Sequence, residues 1–451
     1  MSRHFDTIAA LATPAGTAAI AVVRITGPDA EKLAGDLAGT APGPRVVTRM
    51  DYRDRSGALL DDVLVTFFKG PRSYTGEDSL EVSCHGNPFI AQKILEDVFA
   101  RGCRPAEPGE FTQRAFLNGR MDLSQAEAVM DLIQAHSERA LAMANQQLRG
   151  ALGRKMAELI ERLLGVLARV EAYIDFPDED LPAEDREVVA KEIAWLITET
   201  DRLLATTHYG ALLRDGFKVV IVGEPNVGKS TLLNRLVGRE RALVSPEPGT
   251  TRDFIEERIM IGPHCVRLID TAGLNPSPAP LEKLGMEKTV DLVAEADLLL
   301  VVLDSSRDNP ELPDRIRDVL ARKNYVIVLN KSDLCVKNGR LSELLDAQIV
   351  RVSALTGRGC VELHELVRAR ADAMQEGLGG GAIAVNARHS SALRESRVAL
   401  ENAKQKLVSA SPAELLASDL RSTLTCYGEI TGKVDNERML DRLFATFCIG
   451  K

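Results

Sequence analysis

Between residues 223 and 354 the chain carries five short stretches that together can hold and cleave a nucleoside triphosphate. Gly223-Glu-Pro-Asn226-Val227-Gly228-Lys229-Ser230, with Thr231 after it, fits GxxxxGK[ST]. Its glycines let backbone amides turn toward phosphate oxygens. The following helix adds positive potential at its N-terminus, Lys229 reaches the terminal phosphates, and the Ser230 hydroxyl can ligate magnesium. Gly249-Thr250-Thr251-Arg252-Asp253 is a switch-type segment whose Thr251 can close over that magnesium when a terminal phosphate is present. Asp270-Thr271-Ala272-Gly273 offers a carboxylate to magnesium through water, and Gly273 to the terminal phosphate. In Asn330-Lys331-Ser332-Asp333 the Asp333 carboxylate can accept two hydrogen bonds that guanine donates and adenine does not. Ser353-Ala354 supplies a backbone amide for the guanine carbonyl oxygen. Each stretch alone reads as a surface turn; all five in this order define a guanine-nucleotide site. Leu274 stands where Ras-like enzymes carry a water-orienting Gln, and a leucine cannot orient water.

These loops need strands to launch them. Residues 217–222 (FKVVIV), 266–269 and 326–329 are short β-branched runs, each leading into one of the motifs. Strands alternate with helical patterns to about residue 374, which predicts a P-loop α/β domain over 216–375. Residues 1–118 mix short apolar runs, 18–26 and 63–68, with a helical pattern over 89–101, and read as a smaller α/β domain. From residue 119 to 210 the pattern is helical, opened by a capping box at Ser124–Glu127 and stopped by Pro177. Residues 210–216 and 375–381 read as glycine linkers. Helical patterning returns over 382–451, with a second capping box at Ser411–Glu414. The simplest assembly joins 119–210 and 382–451 into one discontinuous helical domain with the nucleotide domain inserted; two separate helical domains are the alternative. The expected fold class is therefore multidomain, α/β plus all-α.

The composition suits this plan. The chain has 451 residues, 45% of them hydrophobic and 27% charged, ordinary for globular protein. A net charge of −9 argues against bulk attraction to nucleic acid and leaves room only for a local basic patch. Seven scattered cysteines, without a CxxC pair, suit free thiols in a reducing compartment. No apolar run is long enough for a membrane span, and no signal peptide or prenylation signal is read, so a cytoplasmic place is expected.

Outside the nucleotide motifs, the chain resembles the MnmE (TrmE) family of tRNA-modification GTPases along essentially its whole length. The resemblance rests on Asp6-Thr7-Ile8-Ala9-Ala10, Arg24-Ile25-Thr26-Gly27, Tyr74-Thr75-Gly76-Glu77-Asp78, Arg104-Pro105-Ala106-Glu107-Pro108-Gly109-Glu110-Phe111-Thr112, Ile174-Asp175-Phe176-Pro177-Asp178-Glu179 and the terminal Phe447-Cys448-Ile449-Gly450-Lys451. It implies an N-terminal domain similar to tetrahydrofolate-binding domains that also forms a homodimer. It implies a flavoprotein partner, the FAD-containing MnmG, in a heterotetramer. With it, an aminomethyl or carboxymethylaminomethyl group is added to carbon 5 of a tRNA wobble uridine, with 5-formyl- or methylene-tetrahydrofolate as one-carbon donor. GTP hydrolysis drives or gates the reaction, and the GTPase domains pair across the dimer with potassium between phosphates and protein.

By the same resemblance, folate contacts fall on Arg24, Glu81, Arg120 and Lys451. Potassium ligands fall on Asn226, Ser245, Glu247 and Thr250, and magnesium ligands on Ser230 and Thr251. Glu282 matches the water-orienting acid. Bland readings stand beside these: Arg24 as a sheet-edge cation, Glu81 as a solvent-facing strand residue, Asn226 as a brace for its own loop, Glu282 as a solvated helix residue. Cys448 is either a reactive thiol near the folate site or a packing residue beside Phe447. A pure switch GTPase that binds RNA without modifying it is the competing function; folate binding separates the two.

Overall fold

The structure is a computed structural model and describes residues 6–39, 42–175, 183–240, 255–270, 292–307, 323–334, 348–374, 383–409, 411–432, 440 and 443–450. The chain divides into two compact units. The first comprises residues 1–130, 147–193 and 402–451, the second residues 131–146 and 194–401.

In the first unit six strands, β1 (Ile8–Leu11), β2 (Ile20–Thr26), β3 (Val47–Arg53), β4 (Leu59–Phe68), β5 (Ser79–His85) and β6 (Arg104–Pro105), form one sheet in the order β3-β4-β5-β2-β1-β6. Neighbours are antiparallel except β1 and β6. Alternation decides its faces. Ala21, Val23 and Ile25 of β2, and Leu80, Val82 and Cys84 of β5, share one core with residues of the helices Ala30–Ala38 and Pro88–Ala100. The residues between them in sequence, Arg24 and Glu81 included, turn to the other face.

The helical part of this unit follows from heptad-like spacing. Leu152, Met156, Leu159, Leu163, Val166 and Val170 are buried along Ala151–Asp175. Leu416, Leu420, Thr423, Tyr427 and Ile430 do the same along Ala413–Thr431, and these two helices pack together.

In the second unit β7 (Phe217–Val222), β8 (Ile255–Ile261), β9 (His264–Asp270), β10 (Leu298–Asp304), β11 (Tyr325–Asn330) and β12 (Gln348–Arg351) are ordered β12-β11-β10-β7-β9-β8. All pairs are parallel except the β8–β9 hairpin. Both faces are covered. Val219 and Ile221 belong to one core, with the helices Lys229–Glu240 and Cys360–Ala373, while Val220 and Val222 belong to the other. This is why β10 reads as a continuous apolar run, all of it buried. The order reverses at β7, so the loop after β7 opens at the sheet's switch point, where such folds take their ligands.

Several sequence expectations shift. The helical stretch from residue 123 is three helices, Leu123–Ile133, Glu138–Leu148 and Ala151–Asp175, with Gly150 at φ 77° before the third. The cap of the first is Asp122, not Ser124. Asp122 Oδ1 accepts from the Gln125 amide at 2.9 Å, and Gln125 Oε1 accepts from the Asp122 amide at 3.0 Å. Ser124 lies inside the helix and donates to Asp122, because the carboxylate two residues earlier is the stronger acceptor. Residues 210–215 are not a linker; they belong to the helix Thr207–Asp215, which ends on Gly216 at φ 87°. Ser411 makes no cap bond either: Pro412 is the N-cap of Ala413–Thr431, with extended φ and ψ of −48° and 138° and no side-chain cap hydrogen bond. The expected linker at 375–381 lies outside the described residues.

Candidate functional site

The candidate nucleotide site gathers where β7, β9, β10 and β11 end. After β7 the chain turns at Gly223, which lies so close to β10 that an added Cβ would sit 2.3 Å from the Val302 carbonyl oxygen. Gly228, at φ 96°, is pressed against Asn330, whose Nδ2 would be 2.4 Å from a Cβ there. Only glycine fits either position. Asn226 between them adopts a left-handed φ of 64° and is exposed.

Lys229 opens the helix Lys229–Glu240 and is 6% exposed. Its ammonium donates to the carbonyls of Gly223 and Glu224, both at 2.8 Å, so it lies folded over its own loop. Burial lowers its pKa, and the nearby Asp270 opposes that shift. A phosphate would exchange two carbonyl contacts for a full charge, a stronger partner. Ser230 Oγ donates to Asp270 Oδ2 at 2.6 Å, and Asp270 at the end of β9 is fully buried. This hydroxyl and carboxylate pair is the hard-oxygen donor set that magnesium takes. Thr231 is exposed beside them.

The base side is built from the ends of β10 and β11. Asn330 is 2% exposed. Its Nδ2 donates to the Val227 carbonyl at 2.8 Å and its Oδ1 accepts from the Ala354 amide at 3.0 Å. One side chain therefore joins the phosphate loop to the Ser353–Ala354 loop. A guanine carbonyl placed at that amide would share it with Asn330. Lys331, at φ 63°, pairs with Asp304 Oδ2 at 2.6 Å. Burial works against the ionised Asp304, yet hydrogen bonds from Lys331 and Ser306 hold its pKa below the ordinary value. Asp333 is exposed, open to a base. Sequence reasoning missed Asp304; its signal was its place as the last residue of a buried strand in a sheet of this kind.

Ser245, Glu247, Gly249, Thr250, Thr251, Arg252, Thr271, Ala272, Gly273, Leu274, Glu282 and Lys451 lie outside the described residues.

The first unit holds a second polar site. Arg24 and Glu81 are register partners on β2 and β5, and Arg24 Nε donates to Glu81 Oε1 at 2.9 Å. The edge reading of Arg24 is corrected here, since β2 lies inside the sheet between β5 and β1. Glu81 is half-buried rather than solvent-facing. Arg24 Nη1 also donates to the Gly450 carbonyl at 3.2 Å, and its guanidinium lies 5.6 Å from the Tyr74 ring centre and 5.9 Å from that of Phe111. Phe444 and Phe447 seat the tail in a cluster with Leu123, Ala126 and Met130. Cys448 between them and Gly450 is exposed, so it is not a packing residue. Arg120 is exposed, its side chain alongside Gly76. Among the described residues no hydrogen bond or ion pair joins Arg120 to Arg24 or Glu81. Beside this site runs an ion network that the sequence did not announce. Arg114, with a side chain 3% exposed, pairs with Asp6, Glu77 and Glu110, and Arg104 pairs with Asp6 and Glu110.

Two family models cover this chain: "GTP-binding protein TrmE N-terminus" over residues 7–120 and "MnmE helical domain" over residues 123–448. The chain belongs to the MnmE family. A tRNA modification GTPase MnmE of Opitutus terrae is 60% identical over 448 residues, covering 99% of both chains. Relatives of the same name from Akkermansia muciniphila and Symbiobacterium thermophilum are 44% and 43% identical, again over 99% of both chains. Among solved structures, the G domain of the T. maritima FeoB iron transporter is 29% identical over 34% of this chain and 98% of its own, with a TM-score of 0.27. Among the described residues no helix is long and apolar enough to cross a membrane.

Proposed function

We propose that the chain is a cytoplasmic GTP hydrolase that acts in tRNA wobble-uridine modification. The observation that carries the GTPase part is the Asn330 link, which brings the phosphate loop and the base loop to one mouth of the sheet. The relatives, named tRNA modification GTPases along their full length, support the tRNA part.

Each residue then has a task. Lys229 leaves its loop carbonyls for the β- and γ-phosphates. The Gly223–Gly228 loop wraps them with backbone amides. Ser230, with Thr251, holds magnesium, which when bound spreads the charge that develops on the transferred phosphoryl group. Asp333 and the Ala354 amide read guanine. Glu282 orients water in place of the glutamine that Leu274 replaces. Potassium would be held by Asn226 together with Ser245, Glu247 and Thr250, and GTP-dependent pairing of two GTPase domains would accompany it.

In the first unit, Glu81 suits the donors of a pterin ring, Arg24 or Arg120 suits the glutamate tail, and Lys451 is a further folate contact. The packing of Arg24 on two aromatic rings, with the Gly450 carbonyl held to it, supports a 5-formyl- or methylene-tetrahydrofolate site there. The proposed division is 1–118 for folate binding and homodimerisation, 119–210 and 382–451 for the helical domain, and 216–375 for the inserted GTPase domain. The modification proceeds with an MnmG-type flavoprotein in a heterotetramer, adding an aminomethyl or carboxymethylaminomethyl group.

The test is mass analysis of wobble uridines from a strain lacking the gene, complemented with the wild type or with Lys229→Ala. Modification restored by the wild type and not by the variant supports the proposal. Full modification in the deleted strain refutes it.

A further inference from the structure

The loop that carries Ala354 is held by a side chain outside the five nucleotide motifs. Arg235 lies on Lys229–Glu240, the helix that Lys229 opens. Its Nε donates to the Ala354 carbonyl at 3.0 Å and its Nη2 donates to the Leu355 carbonyl. The guanidinium faces Gly357, where an added Cβ would be 3.8 Å from Cζ. Within the turn itself, the Gly357 amide donates to the Ser353 carbonyl at 2.8 Å and the Thr356 amide to Ser353 Oγ at 3.1 Å.

A hydrogen-bonded circuit results. It runs from the Val227 carbonyl through Asn330 to the Ala354 amide, from the Ala354 carbonyl to Arg235, and back along the helix to Lys229. Ala354 is gripped on both faces: Asn330 holds its amide, Arg235 its carbonyl. Packing does not anchor the outer end of the loop, since Leu355 is 71% exposed. The two Arg235 bonds add to the turn's own hydrogen bonds at that end. A planar fork on two successive carbonyls fixes their orientation, where a lysine would tether one point.

We propose that Arg235 is a positioning residue for guanine recognition: by holding the Ala354 and Leu355 carbonyls it aims the Ala354 amide at the 6-oxo group of the base. This rests on the reading of Asp333 and Ala354 as the guanine pocket.

Three nucleotides separate the contacts. GDP satisfies both. 6-Thio-GDP keeps the donors that face Asp333 and replaces the 6-oxo group with a larger, weaker acceptor. IDP keeps the 6-oxo group and lacks the amine that faces Asp333. Affinities of all three for the full-length chain are measured by competition against a fluorescent GDP, in the wild type, Arg235→Ala and Arg235→Lys. The wild type prefers GDP over 6-thio-GDP by about tenfold, the worth of one good hydrogen bond. In Arg235→Ala that preference falls to about twofold while the preference over IDP is kept, and Arg235→Lys lies between. If GDP and 6-thio-GDP weaken by the same factor, Arg235 is a structural brace only and the proposal is overturned. If the wild type does not distinguish GDP from 6-thio-GDP but still rejects IDP, Ala354 does not read the base, and the proposal falls with that contact. If IDP is accepted as well, the guanine pocket itself is misplaced. Should Arg235→Ala not fold, Arg235→Lys makes the same comparison.

Discussion

Replacing Asn330 by alanine tests whether the phosphate and base loops act as one site. The side chain is 2% exposed and makes two hydrogen bonds, to the Val227 carbonyl at 2.8 Å and from the Ala354 amide at 3.0 Å. Removing it strands both partners, and each stranded buried group costs about 1–3 kcal/mol. The sum is about 2–6 kcal/mol, but it does not all fall on binding. A loop that stays rigid would lose folding stability and keep its affinity. A loop that loosens must be ordered again by the nucleotide, and then the cost moves to the binding equilibrium. The absence of wide packing around Leu355 favours loosening. The expected outcome is a GDP affinity at least tenfold weaker, with a lower melting temperature that saturating GDP partly restores. Fluorescent-GDP dissociation by stopped flow and thermal unfolding with and without GDP measure the two parts. A melting temperature that drops while GDP affinity stays within about twofold of wild type would refute the coupling and leave Asn330 a fold brace.

Other outcomes are equally concrete. Arg114→Met leaves Glu110, 6% exposed, without its buried partner, and the cost to folding of the first unit is about 3 kcal/mol, the low end for a broken buried pair because Asp6 is 39% exposed. Glu110 and Asp6 also set an acid limit. Burial opposes their ionisation, yet hydrogen bonds, above all from Arg104 and also from Arg114, hold both below their ordinary values of 4.5 and 3.8. Their stabilisation is complete above those ordinary values and is lost as pH falls through the lowered folded ones. Acid unfolding followed by circular dichroism should therefore begin at higher pH in Arg114→Met; an unchanged midpoint removes Arg114 from the network. Asp333→Asn should weaken GTP about ten- to a hundredfold and favour xanthosine nucleotides, which a competition assay reads directly. Steady-state hydrolysis should be faster in potassium than in sodium at matched ionic strength, with the difference lost in Asn226→Ala. Equal rates in both salts would return attention to Arg252 as the charge-neutralising group. Truncation after Phe447 should spare GTP hydrolysis and lower tRNA modification, since it removes the Gly450 carbonyl from Arg24; wild-type levels of modified uridine would show the tail to be dispensable.

What the sequence made legible was local. Phe217–Val222 was read residue for residue, because a strand buried on both faces is a continuous apolar run with a glycine loop behind it. Every described nucleotide motif also lies at a strand end, as its spacing required. The misreadings came from choices between neighbours. Ser124 and Asp122 are both fair helix caps, and only the geometry of Gln125 selects Asp122. Gly210 looked like a linker residue, yet it sits inside a helix, with the Val385 carbonyl 2.6 Å from where its Cβ would be. A glycine needed for close approach and one needed for flexibility are written with the same letter.

The non-local arrangements were not legible, and these organise the candidate sites. Asn330 was known as a motif residue, but its hold on Val227 spans 103 residues, and the hold of Arg235 on Ala354 spans 119. Arg24 meets Gly450 across 426 residues. In each case a side chain holds a backbone carbonyl that lies far from it in sequence. The Ala354 amide shows the consequence. Its chemistry is common to every backbone amide, so its value for reading a base lies entirely in its direction, and that direction is set from two other elements. Substitutions at the motif residues test whether a contact is made; substitutions at Arg235 and Asn330 test whether the site was already formed before the nucleotide arrived.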